Sequence, residues 1–274
     1  MNNIATHIKK PFVFLHKDFI NESSYKFAFV TQFLGMFLSI LSLYFLSKLV
    51  GDSALPHLTQ YGGDYLSFLL IGLALISYVQ VSLQSFSACI RSAQTLGTLE
   101  AMLVTQTSTP TIIFSSSLYS FVISSLRIVV YLLVGSLVFG LNLHDVNYTG
   151  AVVILILTVL FSSSIGILSA SFIMVFKKGD PLNWIFSSIS WLLSGVYYPV
   201  SILPDWLQKF SYYIPVTHSL EGMRLALLQG YSSEKLLPSI IPLVIFSSVM
   251  IPASLWVFSR AVKKAKINGS LTQY

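Results

Sequence analysis

Long runs of apolar residues, separated by short polar segments, dominate this chain. A helix needs about 20 apolar residues to cross a hydrocarbon core roughly 30 Å thick. No water satisfies backbone groups at that depth, so spans of this length are helices and not barrel strands, which would be about half as long. The pattern predicts an all-α integral membrane protein with six transmembrane helices. They are expected at residues 27–50, 65–90, 112–140, 150–176, 182–200 and 239–260.

Composition supports a membrane protein and excludes some kinds of site. Of the 274 residues, 54 % are hydrophobic and 9 % are charged, against about 25 % charged in an average soluble domain. Mean hydropathy is +0.76. A water-soluble fold cannot bury that much apolar surface. The single cysteine, Cys89, excludes an intrachain disulfide and a cysteine-based metal site.

The basic residues indicate the orientation of the chain. Six spans place both termini on one side, and Lys and Arg accumulate in cytoplasmic loops. Eleven of the 16 basic residues fall together on the side of the termini. They are Lys9, Lys10, Lys17, Lys26, Arg91, Lys177, Lys178, Arg260, Lys263, Lys264 and Lys266. We therefore expect a multi-pass plasma-membrane protein with cytoplasmic termini, and we interpret the formal charge of +6 as a topology signal that requires no nucleic-acid partner.

One membrane domain accounts for residues 1–274. It comprises a cytoplasmic segment (1–26), a six-span bundle (27–260) and a basic cytoplasmic tail (261–274). In the first segment, Ile8, Phe12, Leu15 and Phe19 repeat at helical spacing after Pro11. This pattern predicts an interfacial helix in contact with membrane lipids, or one that packs on the cytoplasmic ends of the spans.

The cytoplasmic segment after the second span has its own amphipathic pattern. Leu99, Met102 and Leu103 fall at i, i+3 and i+4, so a short helix would present a small apolar face. A helix this short is marginal alone in water and needs a docking surface. That surface is either a partner protein or the membrane domain of the chain itself.

An unusual segment, residues 197–238, follows the fifth span on the outer side. Pro199, Pro204 and Pro215 divide it into two helices of about ten residues, near 206–213 and 217–229. Each helix is too short to cross a membrane, and the segment is too apolar for a solvated loop. It is interpreted as a re-entrant hairpin or as a hairpin lying flat on the outer surface.

Polar residues inside the spans offer two further hypotheses. Gln80 and Gln84 lie on one face of the second span, and Arg127 and Tyr131 lie on one face of the third. Such stripes line a translocation path or form hydrogen bonds between helices. Arg127 is near the middle of its run and needs compensation at that depth. Glu221, on the second hairpin helix, is a candidate partner for it.

Two segments together resemble the permeases of type-two ATP-binding-cassette exporters. The residues that carry the resemblance are Gly97-Thr98-Leu99-Glu100 and Leu103-Val104-Thr105 on the inner side, and Tyr198-Pro199, Leu203-Pro204, Trp206-Leu207, Pro215, Thr217, Arg224 and Gly230 on the outer side. Length and span count agree with the resemblance.

The resemblance implies a transport subunit that pairs with a second permease subunit, with a homodimer expected, and that docks on a cytoplasmic ATPase. It assigns the ATPase-coupling helix to Gly97, Thr98, Leu99, Glu100, Met102, Leu103 and Thr105. It assigns the outer gate to Pro199, Pro204, Trp206, Pro215, Glu221 and Arg224. ATP and Mg belong to the ATPase, and the present chain lacks the glycine-rich loop with Lys and Ser or Thr that holds phosphates.

The expected function is therefore export of an amphiphilic substrate, such as a drug, a lipid or a lipid-linked glycan. A secondary transporter is disfavoured because the six runs contain no carboxylate. A membrane-embedded hydrolase is disfavoured because the five histidines lie in or near aqueous segments. The alternative that stays open is a channel or scaffold subunit without ATP coupling.

Overall fold

The computed structural model describes residues 15–16, 19–20, 26–51, 55–62, 64–104, 109–140, 146–177 and 179–267. Within these residues the fold is helical and contains no strand. The helices are α1 (Lys26–Val50), α2 (Leu55–Leu58), α3 (Tyr65–Thr95), α4 (Leu99–Val104), α5 (Thr109–Phe139), α6 (Tyr148–Phe176), α7 (Pro181–Leu193), α8 (Asp205–Tyr212), α9 (Pro215–Leu228) and α10 (Leu237–Ile267). Short 3-10 turns occupy Thr59–Tyr61 and Val200–Ile202.

Five of these helices, α1, α3, α5, α6 and α10, are long and apolar enough to cross a membrane. Their bounds lie close to the predicted first, second, third, fourth and sixth spans. The largest difference is at the end of α10, which continues past Arg260 to Ile267 and takes up part of the predicted tail. This helix also contains Pro242 and Pro252, which are tolerated where neighbouring groups satisfy the freed carbonyls.

The predicted fifth span, residues 182–200, differs from the observed helix. The helix α7 has 13 residues and is therefore about 20 Å long, too short to cross a hydrocarbon core alone. It begins as expected, because Asp180 caps Asn183 N at 3.3 Å and Pro181 occupies the first turn. It ends where Gly195 adopts a φ of +78°, after which the backbone becomes extended at Pro199.

The helix α6 is the centre of the bundle and packs against both α3 and α10. Ser162, Gly166 and Ala170, which repeat every four residues, permit the close approach that their size predicts. A Cβ at Gly166 would lie 2.7 Å from the carbonyl oxygens of Ser82 and Leu83 on α3. Backbones of two long helices therefore touch at this position, as small residues allow in membrane bundles.

The bundle has two ends, the Asn147 end and the Asp180 end, each of which contains the helix-capping residue in its name. At the Asn147 end, Asp64 caps α3 and Asn147 caps α6. The hairpin of α8 and α9 joins this end, because Asn147 N donates to Ala226 O at 2.9 Å. At the opposite Asp180 end, α3 finishes, α5 begins and α7 begins.

The predicted interfacial helix lies for the most part outside the described residues. Of its apolar positions, Leu15 and Phe19 are helical, and Phe19 is exposed. Ile8 and Phe12 are not among the described residues.

Candidate functional site

A seam of polar side chains joins α3 to α7 inside the bundle. Asn183 Nδ2 donates to Leu83 O at 2.9 Å and to Ser87 Oγ at 3.1 Å. One turn further along, Ser187 Oγ donates to Gln80 Oε1 at 3.0 Å. The same Gln80 oxygen accepts from Gln84 Nε2 at 3.4 Å. The two glutamines predicted to line a path therefore do lie together, and they face α7.

The contribution of α7 to this seam was not predicted from the sequence. Asn183, Ser187, Ser190 and Ser194 are separated by four, three and four residues, which places them on one face of a helix. Three of them, Asn183, Ser190 and Ser194, are buried. The same periodicity test that found the stripe on α3 would have found this one.

Several polar atoms of the seam have no hydrogen-bond partner. They are Gln80 Nε2, Asn183 Oδ1, Ser190 Oγ and Ser194 Oγ, all of them buried. An unsatisfied buried polar atom costs about 1–3 kcal/mol, and native proteins contain few of them. The packing of α3 on α7 thus leaves polar atoms of the seam without a hydrogen-bond partner from the protein. Water or a polar ligand would provide one.

Toward the Asp180 end the seam widens into a cleft of about 400 Å³. Its lining includes Gln80, Gln84, Arg91, Asp180, Trp184 and Ser187. The carboxylate of Asp180 is already hydrogen-bonded within the protein. It accepts hydrogen bonds from Ser169 Oγ and from the backbone and side-chain nitrogens of Asn183. Gln84 and Arg91, by contrast, are exposed.

The hairpin of α8 and α9 reaches from the Asn147 end deep into the bundle. At its tip, Ser211 Oγ donates to Leu193 O at 2.7 Å, and Thr217 Oγ1 donates to Ser211 O at 2.8 Å. Thr158 Oγ1 donates to Ser219 Oγ at 2.8 Å. Thr158 lies about 15 Å along α6 from its Asn147 end, judged by the helical rise, so the start of α9 lies at that depth.

Arg224 fastens α9 to the rest of this end. Its side chain is 2 % exposed and donates to three backbone carbonyls, those of Phe68 (3.2 Å), Gly195 (2.8 Å) and Val196 (3.0 Å). Its guanidinium carbon also lies 3.3 Å from the ring centroid of Phe68. A single side chain therefore ties the hairpin both to α3 and to the segment that follows α7.

A glycine makes room for this arrangement. A Cβ at Gly72 would lie 2.5 Å from Arg224 Nη2 and 2.6 Å from Val196 O. Any larger residue on that face of α3 would displace either the guanidinium or the carbonyl that accepts its hydrogen bond. Neither Phe68 nor Gly72 was singled out from the sequence, because a carbonyl acceptor and a space for a side chain leave no residue-type signal.

The charged neighbours of Glu221 differ from those expected. The basic residues that act on it electrostatically are His218 and Arg224, both on its own helix. No ion pair between Arg127 and Glu221 occurs in the described part of the chain, so that hypothesis was wrong. Tyr61, at the Asn147 end and outside the spans, also interacts with Glu221. Burial raises the pKa of Tyr61 to about 12; Glu221 adds a smaller increase, and Arg224 acts in the opposite direction.

The four path candidates do not form one site. Gln80 and Gln84 line the cleft, whereas Tyr131 is buried in a separate apolar core that α1, α3 and α5 build together. Arg127 is half-buried and interacts electrostatically with Tyr131, one turn away on α5. The α5 pair is therefore separate from the α3–α7 seam.

The other residues that the resemblance assigns to the outer gate lie in the hairpin and in the segment before it. Pro199 precedes the 3-10 turn and is buried, whereas Pro204 precedes α8 and is exposed. Pro215 starts α9 two residues earlier than predicted. Trp206 is exposed on α8.

The segment predicted to form the coupling helix contains α4, a helix of six residues. A Schellman motif ends α3 before it: Thr98 N donates to Ala93 O (2.9 Å), and Gly97 N donates to Gln94 O (3.2 Å). Gly97 has a φ of +67°, a conformation that favours glycine. This turn sets the direction in which α4 leaves α3.

The apolar face of α4 packs on its own membrane domain. Leu99 is 1 % exposed and, with Met102, joins the core formed by α3, α6 and α10. The residues that stay exposed are Gly97, Thr98 and Glu100, together with Leu96, which is 71 % exposed and precedes the turn. The side chain of Leu103 and all of Thr105 lie outside the described residues.

A comparison with protein families identifies the chain. A family model described as ABC-2 type transporter matches residues 12–228, which contain α4, the seam and the hairpin. The chain belongs to the ABC-2 type transporter family. No curated protein matches it. Membership makes this ABC-2 protein a transport permease subunit of the membrane, in a family whose members work with ATPase partners, and not itself a catalyst.

Proposed function

We propose that this ABC-2 permease is the transmembrane subunit of an ATP-driven exporter and that an amphiphilic substrate passes along the α3–α7 seam. Two permease subunits, taken to be identical, form the path, and a separate cytoplasmic ATPase binds ATP and Mg. The observation that carries this proposal is the line of polar atoms along α7, several of them unsatisfied, at a depth where lipid offers no hydrogen bond.

Contacts along α3 support a sixth crossing at α7. The seam begins at Ser87, opposite Asn183, and continues to Tyr65, whose hydroxyl donates to Tyr197 O at 2.9 Å. This part of α3 is about 33 Å long at 1.5 Å per residue, which matches a hydrocarbon core. The extended segment after α7 thus completes a crossing that the helix alone is too short to make.

We place the Asp180 end in the cytoplasm. Arg91, Lys177 and Arg260 belong to this end, and basic residues accumulate on the cytoplasmic side. Six crossings then return the chain to that side, so both termini are cytoplasmic in a plasma membrane. The hairpin of α8 and α9 accordingly enters from outside as a re-entrant element.

A second subunit would enclose the seam. Gln84 is exposed within the candidate span of α3, and an amide in contact with lipid tails would lose its hydrogen bonds to water. A water-containing path between two subunits removes that cost. The exposed position of this glutamine therefore supports pairing across the α3–α7 face.

In this proposal the hairpin of α8 and α9 closes the path on the outer side. The hairpin tip covers the end of α7, and Tyr212 and Tyr213 are exposed beside it. Arg224 holds the hairpin against α3. Because Leu99 packs α4 against the other end of α3, a movement of α4 by the ATPase reaches the gate through one continuous helix.

Cysteine accessibility tests the path. Single cysteines replace Ser187, Ser190 or, as a control on the opposite face of α7, the exposed Leu192, in a Cys89→Ser background. The permease is reconstituted with its ATPase. We expect a water-soluble thiol reagent to label Ser187→Cys and Ser190→Cys during ATP turnover, and Leu192→Cys to stay unlabelled because hydrocarbon suppresses thiolate formation. Equal labelling of all three, with or without ATP, contradicts a path along this seam.

A further inference from the structure

The cytoplasmic mouth of the cleft contains an exposed arginine, Arg91. Arg91 lines the cleft together with Asp180, yet the carboxylate of Asp180 is occupied by Ser169 and Asn183. Among the described residues Arg91 has no ion-pair partner. The carboxylate of Asp180 already accepts three hydrogen bonds within the protein, so the exposed guanidinium of Arg91 is the group of this cleft that is available to bind an anion.

Neutral hydrogen-bonding groups surround that cation. Gln84 is exposed, and Ser187 is half-buried on the facing helix. Asn183, only 5 % exposed, contributes an Oδ1 atom that has no partner. Trp184, 70 % exposed, forms one wall. Amide and hydroxyl groups match a ligand that both donates and accepts hydrogen bonds, and an indole ring suits the interface between polar head groups and apolar chains.

We propose that this cleft binds the head group of an amphiphile that carries a phosphate and free hydroxyls. Arg91 binds the phosphate oxygens, a pairing that the planar guanidinium favours, and Gln84 with Ser187 binds the hydroxyls. The cleft, at about 400 Å³, has the volume of a head group, so the apolar chains stay outside it. This assignment rests on the proposed export function and narrows its substrate class. A cationic or hydroxyl-free apolar compound would leave these groups unpaired.

Native mass spectrometry of the full-length chain tests the site. The protein is held in an uncharged polyoxyethylene detergent and titrated with dihexanoyl phosphatidylglycerol, which carries phosphate and two hydroxyls, or with dihexanoyl phosphatidylcholine, which has phosphate and no hydroxyl. A third titration uses glycerol 1-phosphate. The variants are Arg91→Gln and Gln84→Leu, with Arg260→Gln as a matched control that removes another exposed cation of the same end of the bundle.

We expect Arg91→Gln to weaken phosphatidylglycerol binding about tenfold, because a charge-assisted hydrogen bond is lost. Gln84→Leu should abolish most of the preference for phosphatidylglycerol over phosphatidylcholine and keep the dependence on Arg91. Arg260→Gln should bind like the unaltered chain. Glycerol 1-phosphate binding with the same dependence on Arg91 supports the site and assigns it to soluble phosphates too, whereas phosphatidylglycerol binding alone supports a membrane-borne source.

Equal binding by the Arg91→Gln and Arg260→Gln variants overturns the head-group site. That failure is distinguishable from failure of the export function, which depends on assembly with an ATPase and is measured by copurification of the two coexpressed subunits. A permease that assembles with its ATPase and lacks Arg91-dependent binding keeps its function and loses this site. Arg91-dependent binding by a chain that never assembles with an ATPase contradicts ATP-driven export and leaves the site in place.

Discussion

The guanidinium carbon of Arg224 lies 3.3 Å from the ring centroid of Phe68, and Nε of Arg224 donates to the backbone carbonyl of that residue. Both interactions join α9 to the first turns of α3. The ring face attracts the cation, and the carbonyl satisfies one of its donors. Arg224 is buried and forms no ion pair with any residue that the structure describes, so backbone oxygens and an aromatic ring are its direct contacts.

Arg224→Met should release the hairpin. Each hydrogen bond to a charged group contributes about 1.5–3 kcal/mol, and the substitution removes three of them. The variant also avoids the cost of burying a charge, which offsets part of that loss. We therefore expect the free energy of unfolding to fall by about 2–4 kcal/mol. Amide hydrogen exchange should accelerate over residues 215–228, and thermal unfolding should shift downward. Arg260→Met, which removes a guanidinium over the exposed Trp256 ring, serves as the control. Unchanged exchange in the Arg224 variant would show that the carbonyl contacts do not hold α9.

Gly72→Ala should destabilise the same junction despite the higher helix propensity of alanine. The new Cβ would lie 2.5 Å from Arg224 Nη2, so either the arginine or the Val196 carbonyl must move. Gly35→Ala on α1 is the matched change, since nothing lies within 4 Å of its Cβ and alanine is favoured by about 1 kcal/mol within a helix. Thermal unfolding should separate the two variants. If both variants are equally stable, the close approach at Gly72 carries no constraint.

Leu96→Asp and Leu99→Ala should fail in different ways. Leu99 is in the core, so its truncation should cost about 2–5 kcal/mol of folding stability. Leu96 is exposed, so its replacement should leave unfolding unchanged and reduce copurification of a coexpressed ATPase. Circular dichroism during heating and affinity capture of the complex measure the two effects. Full ATPase capture by Leu96→Asp would show that the exposed surface at Leu96, beside α4, does not bind the ATPase.

Labelling in intact cells should place the Asn147 end outside. Asn147 itself is a poor probe site, because its side chain caps α6 and donates to Tyr231 O. Exposed positions serve better: Glu234→Cys between α9 and α10 and Lys263→Cys near the end of α10. In a Cys89→Ser background an impermeant reagent should modify Glu234→Cys alone, with Lys263→Cys modified only after permeabilisation. The reverse pattern would invert the topology.

The sequence by itself determined the fold class, the five long helices and the two segments that carry the resemblance to ATP-binding-cassette permeases. Apolar runs of this length have one stable conformation in a bilayer, and caps such as Asp64 and Asp180 mark where helices begin. The separation of the hairpin into two short helices also followed from its prolines. These are local properties of the chain, which a linear reading can recover.

Only the tertiary structure decided which polar groups meet. Arg127 and Glu221, similar in expected depth, do not pair, whereas Arg224 binds carbonyls from residues far away in sequence. The burial of Leu99 in the core also depends on the neighbouring helices. So does the end of α7 after 13 residues, where an extended segment follows it. Depth and helical face can be estimated from spacing. Spacing does not reveal which helix a side chain faces. A backbone carbonyl, or the space beside a glycine, can accept a side chain without any residue-specific signal in the sequence.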